Sequence, residues 1–214
     1  MVNHKYESAR RQRSSYSRWA RLYDFSTAFA AFIYGFDDTK ERQKAVERLA
    51  LKPGRRALEV GVGTGLNLPL IARSVGVDGR SVGLDVTRAM LRVAARRLDR
   101  ERVSGDLIEG DATRLSFPDD EFDAVLNFGG FNGLDDRESA LGEMIRVARP
   151  GAKIVVADQG MSGKKRNTLL GRLFVRQDPW LLQEPPVDLL PPTASPTVTH
   201  FRAENWYLID FVNE

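Results

Sequence analysis

The sequence predicts an α/β protein built on a doubly wound, mostly parallel sheet that ends in an antiparallel hairpin. Two observations carry this. Short apolar runs stopped by turn residues alternate with helix-period patterns through the middle of the chain, the signature of βαβ units. The two runs that close the chain, Thr197–Arg202 and Trp206–Val212, lie close enough to pair as a hairpin.

The elements follow in order. In the first zone, residues 1–51, Tyr16, Trp19, Ala20 and Tyr23 fall at i, i+3, i+4, i+7 spacing and predict a helix with an aromatic stripe. Asp38 followed by Glu41 resembles a capping box, opening a second helix that buries Val46 and Leu49 and ends before Pro53-Gly54. The second zone, residues 52–160, holds strands at Arg56–Val60, Ser81–Asp85, Asp106–Glu109, Phe122–Asn127 and Ala152–Ala157. Thr87 is placed to cap a helix that buries Met90, Leu91, Ala94 and Leu98. Asp136 is placed to cap another, carrying Leu141, Met144, Ile145 and Ala148 and stopping at Pro150-Gly151. Residues 161–196 combine an amphipathic stretch (Leu169, Leu170, Leu173 and Phe174 among arginines) with a proline-rich segment. Residues 197–214 are the hairpin, and the four zones together read as a single domain.

Composition narrows the chemistry. The 214 residues are 42% hydrophobic and 29% charged, the balance of a globular domain. No run reaches the roughly 18–20 apolar residues of a membrane-spanning helix. Met1–Arg21 lacks the apolar core of a signal peptide, which predicts a cytoplasmic protein. There are no cysteines and two histidines, His4 and His200, which excludes thiolate chemistry and His- or Cys-rich metal centres. His200 falls on a predicted strand and reads as structural, His4 as part of a terminal tail. The net charge of +3 does not argue for nucleic acid. The charge is clustered, however: Lys5, Arg10, Arg11, Arg13, Arg18 and Arg21 in one group, Lys164, Lys165, Arg166, Arg172 and Arg176 in another.

The most informative segment is Glu59-Val-Gly61-Val-Gly63-Thr-Gly65, between the first strand and the following helix. Glycines there permit a tight turn and close approach of the backbone to a ligand. Asp85 ends the second strand about 20 residues on, where a carboxylate accepts both hydroxyls of a ribose. A dinucleotide fingerprint wants its third glycine where Leu66 stands, which disfavours NAD. Glu59 would repel a pyrophosphate but suits the ammonium of an amino acid. An adenosyl compound with an amino-acid tail and no phosphate, S-adenosylmethionine (SAM), meets both conditions. The loop favours it.

Further segments carry a family resemblance: Leu58–Gly65, Val82–Asp85 with Met90-Leu91, Glu109-Gly-Asp-Ala112, Leu115-Ser-Phe-Pro-Asp-Asp-Glu-Phe-Asp123 and Ile145-Arg-Val-Ala-Arg-Pro-Gly151. In order and spacing they resemble the Rossmann-like class I SAM-dependent methyltransferases, in particular those similar to ubiquinone/menaquinone-biosynthesis and phospholipid N-methyltransferases. The resemblance implies the seven-stranded sheet of that family, with SAM as cofactor and S-adenosylhomocysteine as product. It implies that Glu59, Gly61 and Gly63 line the methionine moiety, with Gly65 in the same cofactor-binding loop, that Asp85 holds the ribose, and that Val86 or Met90 packs on the adenine. Asp111 and the Ala112 backbone would meet the adenine amino group; Asn127, Phe128 and Gly129 would border the reacting methyl. Each has a plainer reading: loop capping for Asp111, core packing for Met90 and Phe128. The Asp119-Asp120-Glu121 run reads as a solvated turn.

A sulfonium methyl is already electrophilic, so positioning supplies much of the rate and no metal is required. Candidate proton acceptors are Asp158, ending the fifth strand, and Tyr23, matching a Tyr-Asp pair of the family at Tyr23-Asp24. The acceptor pocket is expected over the carboxyl ends of the strands, roofed by residues 1–51 and 161–196. Both roofs admit two readings: a membrane-surface contact admitting a lipid-like acceptor, or lid helices whose apolar faces pack on the sheet. The Gly129–Asn132 stretch departs from the quinone enzymes. Asn127-Phe-Gly-Gly130 carries no acid for a polyamine, which disfavours an aminopropyltransferase. A non-catalytic SAM-binding or partner-binding module of the same fold remains the alternative, together with a quinone C-methyltransferase.

Overall fold

The strand runs assemble into one mixed sheet. A computed structural model describes residues 37–214. The expected helix around Tyr16, Trp19, Ala20 and Tyr23, together with His4 and the Tyr23-Asp24 pair, lies outside the described residues. The elements are α1 (Asp38–Glu47), β1 (Arg56–Val60), α2 (Leu68–Val75), β2 (Arg80–Asp85), α3 (Arg88–Glu101) and β3 (Asp106–Glu109). After them come β4 (Phe122–Phe128), α4 (Arg137–Val147), β5 (Ala148–Gln159), α5 (Gly163–Arg166) and α6 (Leu169–Gln177). Two short 3-10 turns, Pro179–Leu182 and Val187–Leu189, lead to β6 (Thr197–Phe201) and β7 (Trp206–Val212). The sheet has seven strands in the order β3-β2-β1-β4-β5-β7-β6. Strands β1 to β5 are parallel, while β7 runs antiparallel between β5 and β6.

The period of two along each strand sorts the core into two layers. Leu58, Val60, Val125, Ile154, Val156 and Ile209 pack against α4 through Leu141 and Met144. Ala57, Ala124, Leu126, Val155 and Leu208 meet α1 and α2 through Ala45, Val46, Leu49, Ile71 and Val75 on the opposite face. Leu68 of α2 and Leu98 of α3 share a smaller cluster with Val62. Glu59 lies between Ala57 and the glycine loop, so alternation directs it to the α1/α2 side. That placement decides the site.

Two boundaries differ from expectation. The N-cap of α1 is Asp37, whose carboxylate accepts from the Thr39 and Lys40 amides at 3.1 and 3.2 Å. Asp38 is the first helical residue instead, and it pairs with Arg42 and Arg202. Glu41 bonds Lys44 rather than closing a capping box. At the other boundary, α4 ends at Val147 and β5 begins at Ala148, so Pro150-Gly151 lies inside the strand. A residue before proline is driven to extended backbone, which forces the helix to stop earlier than its apolar pattern suggests. The cap of α4 is as expected, with Asp136 accepting from the Ser139 amide at 3.1 Å. Thr87 precedes α3 without a side-chain cap bond; its own amide is engaged by Asp85. Within the Asp119–Glu121 run, Asp119 pairs with Arg146 and Glu121 with Arg56.

Gly65 shows why the loop tolerates only glycine there. Its φ is +75°, and a Cβ would sit 2.9 Å from Ala94 Cβ and 3.1 Å from Ala94 Cα on α3. Gly65→Ala is expected to lower stability by about 2–4 kcal/mol, strain and overpacking together. Urea unfolding of the variant checks this, and an unchanged midpoint would contradict it.

Candidate functional site

The parallel strands β1, β2 and β4 deliver their carboxyl ends to one edge of the sheet, and there the chain order reverses between β1 and β4. Such a switch point leaves a crevice between loops that diverge to opposite faces. An open crevice of about 960 Å³, its mouth included, occupies this place. Of the residues expected to hold a cofactor, Glu59, Gly61, Gly63, Asp85, Val86, Met90, Asp111, Ala112, Phe128 and Gly129 line it. Gly65 does not: it backs the loop onto α3. Neither does Asn127, which lies beneath the loop and donates from Nδ2 to the Val60 carbonyl at 2.9 Å.

Asp85 is held from two sides. Its Oδ2 accepts from the Gly63 amide at 2.9 Å and its Oδ1 from the Thr87 amide at 2.8 Å. The carboxylate therefore ties the glycine loop to the start of α3. Burial pushes its pKa up, while the Thr87 and Gly63 amides pull it back down. Asp111 is exposed at the far end of the crevice, and its Oδ1 accepts from the Thr113 amide and hydroxyl, both at 2.9 Å. This is the loop-capping arrangement, and it leaves Asp111 on the crevice wall as well.

Glu59 is the most unusual group. It is 1% exposed, and Oε1 accepts from Asn67 Nδ2 at 2.6 Å while Oε2 has no partner among the described residues. Burial pushes the carboxyl up to about 8; the Asn67 bond and the Arg42 charge oppose the rise, and the Asp85 charge adds to it. Asn67 opens α2 but makes no capping bond, because its side chain bridges instead. Its Oδ1 accepts from Arg42 Nη1 at 3.0 Å, and Arg42 Nε donates to Asp38 Oδ2 at 2.7 Å. Arg202 pairs with the other Asp38 oxygen and completes a chain from the β6–β7 turn to the crevice floor. Phe128 anchors that chain: the Arg42 and Arg202 guanidinium carbons lie 4.6 and 4.9 Å from its ring centroid, within cation–π range.

A buried carboxylate with one oxygen unsatisfied is costly unless a ligand supplies the missing donor. An ammonium at the crevice wall would supply it, so the residues present fit the amino-acid end of SAM. Asp85, beside the loop, fits a ribose.

Asp158, expected as a proton acceptor, has a different setting. It is 6% exposed and absent from the crevice lining, and its oxygens accept from the Asn132 and Gln159 amides at 2.8 and 2.7 Å. Burial pushes its pKa up, opposed by those amides and that of Phe131. Asn132 also accepts from the Tyr207 hydroxyl at 2.7 Å, so this group pins the loop after β4. Sequence reasoning gave Thr87 only a capping role and did not single out Arg42, Asn67 and Leu134; all four also line the crevice. Asn67 left a readable trace, an asparagine directly before Leu68-Pro69. Arg42 left none, because only packing brings α1 over the loop.

Comparison with known proteins agrees with this geometry. The methyltransferase-domain family matches residues 58–156. A demethylmenaquinone methyltransferase of Renibacterium salmoninarum is 41% identical over 117 residues, 55% of this chain and 46% of that protein. A phosphatidylethanolamine N-methyltransferase of Cereibacter sphaeroides is 34% identical over 146 residues, 67% of this chain and 66% of that protein. The chain spans about half the length of the first curated relatives it matches, 46% to 54%. A SAM-dependent methyltransferase from Aquifex aeolicus shares the fold, with a TM-score of 0.62 at 18% identity over 83% of this chain and 94% of that one. In its sheet order, its glycine loop and its relatives the chain is similar to the class I SAM-dependent methyltransferases, and residues 58–156 match the methyltransferase-domain family.

Proposed function

We propose that this protein moves the methyl group of SAM to a small, apolar or lipid-like acceptor, releasing S-adenosylhomocysteine. The observation that carries the reading is the buried, half-satisfied Glu59 carboxyl facing Asp85 across a glycine loop. When bound, SAM supplies a sulfonium-activated methyl group. Glu59 holds the ammonium of its amino-acid tail and Asp85 the ribose hydroxyls. Met90, Val86 and Ala112 give an apolar slot for the adenine, with Asp111 at its polar edge. Phe128 and Gly129, at the end of β4, border the acceptor side. The work left to the protein is to hold an acceptor in line and keep water out.

Asp158 enters this reading as a positioning residue, since its oxygens are committed to the loop after β4. Tyr23 stays a candidate proton acceptor. Residues 1–51 act as a cap and residues 161–196 as a lid over a core of residues 52–160, with the hairpin of residues 197–214 closing the sheet. The names of the relatives point to quinone and phospholipid acceptors, and both are lipid-like.

Calorimetry tests the cofactor reading. One SAM and one S-adenosylhomocysteine are expected to bind per chain, and NAD not at all. Binding of NAD in their place would overturn it. Turnover with phosphatidylethanolamine in vesicles and with a demethylated quinone then tests the acceptor class. SAM binding without turnover on any lipid-like acceptor would favour the non-catalytic module.

A further inference from the structure

The helix α6 is inverted: the side it turns to solvent is its apolar side. Leu169, Leu170 and Leu173 are 86%, 66% and 52% exposed. At 100° per residue they share one face, flanked by exposed Arg172 and Arg176. The inward side is seated by buried Gly171, where a Cβ would lie 2.0 Å from the Lys165 carbonyl oxygen. Phe174 and Val175 are half-buried beside it, with Lys165 Nζ 5.9 Å from the Phe174 ring. Glycine thus lets the helix rest directly on the preceding turn, and the leucines have nowhere to go but outward. The next turn continues the patch with Trp180 and Leu182, each 48% exposed.

The segment is a fixed feature rather than a loose tail. The Gly160 and Ser162 amides donate to the Asn205 and Glu204 carbonyls, and the Met161 amide donates to the Leu181 carbonyl at 2.9 Å. Gln159 Nε2 donates to Asp178 at 2.5 Å. Because β5 is parallel to β1 and β4, the segment leaves the sheet at the edge that carries the crevice.

We infer that α6 and the following turn form a docking face for an anionic lipid bilayer. The charge supports this occupant: residues 160–182 carry five basic side chains and one acid, Asp178. Lys164, Arg172 and Arg176 are exposed around the leucines. A leucine face rimmed by cations is the arrangement that inserts shallowly at a headgroup boundary. Docking would turn the crevice edge of the sheet toward the bilayer. The inference does not depend on the cofactor reading, and SAM binding is measured separately in the same samples.

The full chain is co-sedimented with vesicles of phosphatidylcholine alone and with 30 mol% (about one lipid in three) phosphatidylglycerol, at low and high salt. Binding is expected on the anionic vesicles, weakening with salt. The triple variant Leu169→Ser, Leu170→Ser, Leu173→Ser is expected to lose at least about tenfold in partitioning, and Arg172→Glu with Arg176→Glu to lose a comparable factor. Brominated lipid should quench tryptophan emission in the wild type but not in Trp180→Phe. Circular dichroism shows whether each variant is folded. The proposal is overturned if the wild type stays in the supernatant, or if the folded triple variant binds undiminished, which would assign docking to another segment such as residues 1–36. It is also overturned if the wild type self-associates through this face, seen as a dimer that the triple variant dissolves, without vesicle binding.

Discussion

Glu59→Gln is expected to weaken SAM binding by about 30- to 1,000-fold, the scale of losing one partner of a buried charge pair, about 2–4 kcal/mol. The amide keeps the shape and the contact to Asn67 but cannot answer an ammonium with a negative charge. The pH dependence sharpens the test. With its pKa near 8, the Glu59 carboxyl is protonated at neutral pH in the free protein, and an arriving ammonium drives that proton off. Affinity should therefore rise with pH between about 6 and 8, by up to about tenfold per unit. In the Gln variant this slope should vanish. Stability moves the other way. The native carboxyl binds its proton more tightly than the unfolded one, whose ordinary value is 4.5, so folding stability falls as pH rises from there toward 8. Glu59→Gln removes that loss, and the cofactor-free variant should melt higher than the wild type at pH near 8. Better folding with worse binding is a combination that damaged packing does not produce. Titration calorimetry across pH and thermal melts check both, and an unchanged pH slope in the variant would refute the role.

Asp85→Ala is the second large effect. A carboxylate bonded to two ribose hydroxyls contributes about 1.5–3 kcal/mol per bond, so SAM affinity should drop at least about 100-fold. The same carboxylate accepts the Gly63 and Thr87 amides, and its loss frees both loop ends. A cofactor analogue lacking the ribose hydroxyls separates the two roles. If Asp85 reads the ribose, the wild type should bind the analogue far less well than S-adenosylhomocysteine, while Asp85→Ala should no longer distinguish them. An equal loss on both proteins would make Asp85 a loop tie alone.

The sheet was legible because most strands centre on short apolar runs bounded by turn residues, and most of the connections between them carry helical periods. The glycine loop was legible because few structures besides a ligand turn need an acid followed by three glycines in alternation. Arg42 was not: it stands at an unremarkable position of a charged helix, and what makes it part of the site is the packing of Ala45 and Val46 on the sheet. Asn127 sits behind the crevice rather than on its wall. Its place at the end of β4 suggested the crevice, but its side chain turns under Gly61, where only the tertiary structure puts the Val60 carbonyl within reach. The oxygens of Asp158 are likewise held by backbone amides, one from Asn132, 26 residues away, and one from the adjacent Gln159.

The leucines of α6 mark the division most clearly. An amphipathic period says which residues share a face, but not whether that face turns inward or outward. Here the chemistry of a single glycine, which lets two backbones touch, turns the leucines outward. The sequence by itself determined the α/β class, the strand positions and the acid–glycine loop, because these rest on local periodicity and on backbone conformations that few residues adopt. The tertiary structure alone decided the partner-less oxygen of Glu59, the Asp38–Arg42–Asn67 chain behind it and the direction of the exposed helix. Those depend on which distant segments meet, and burial and charge act only after they have met.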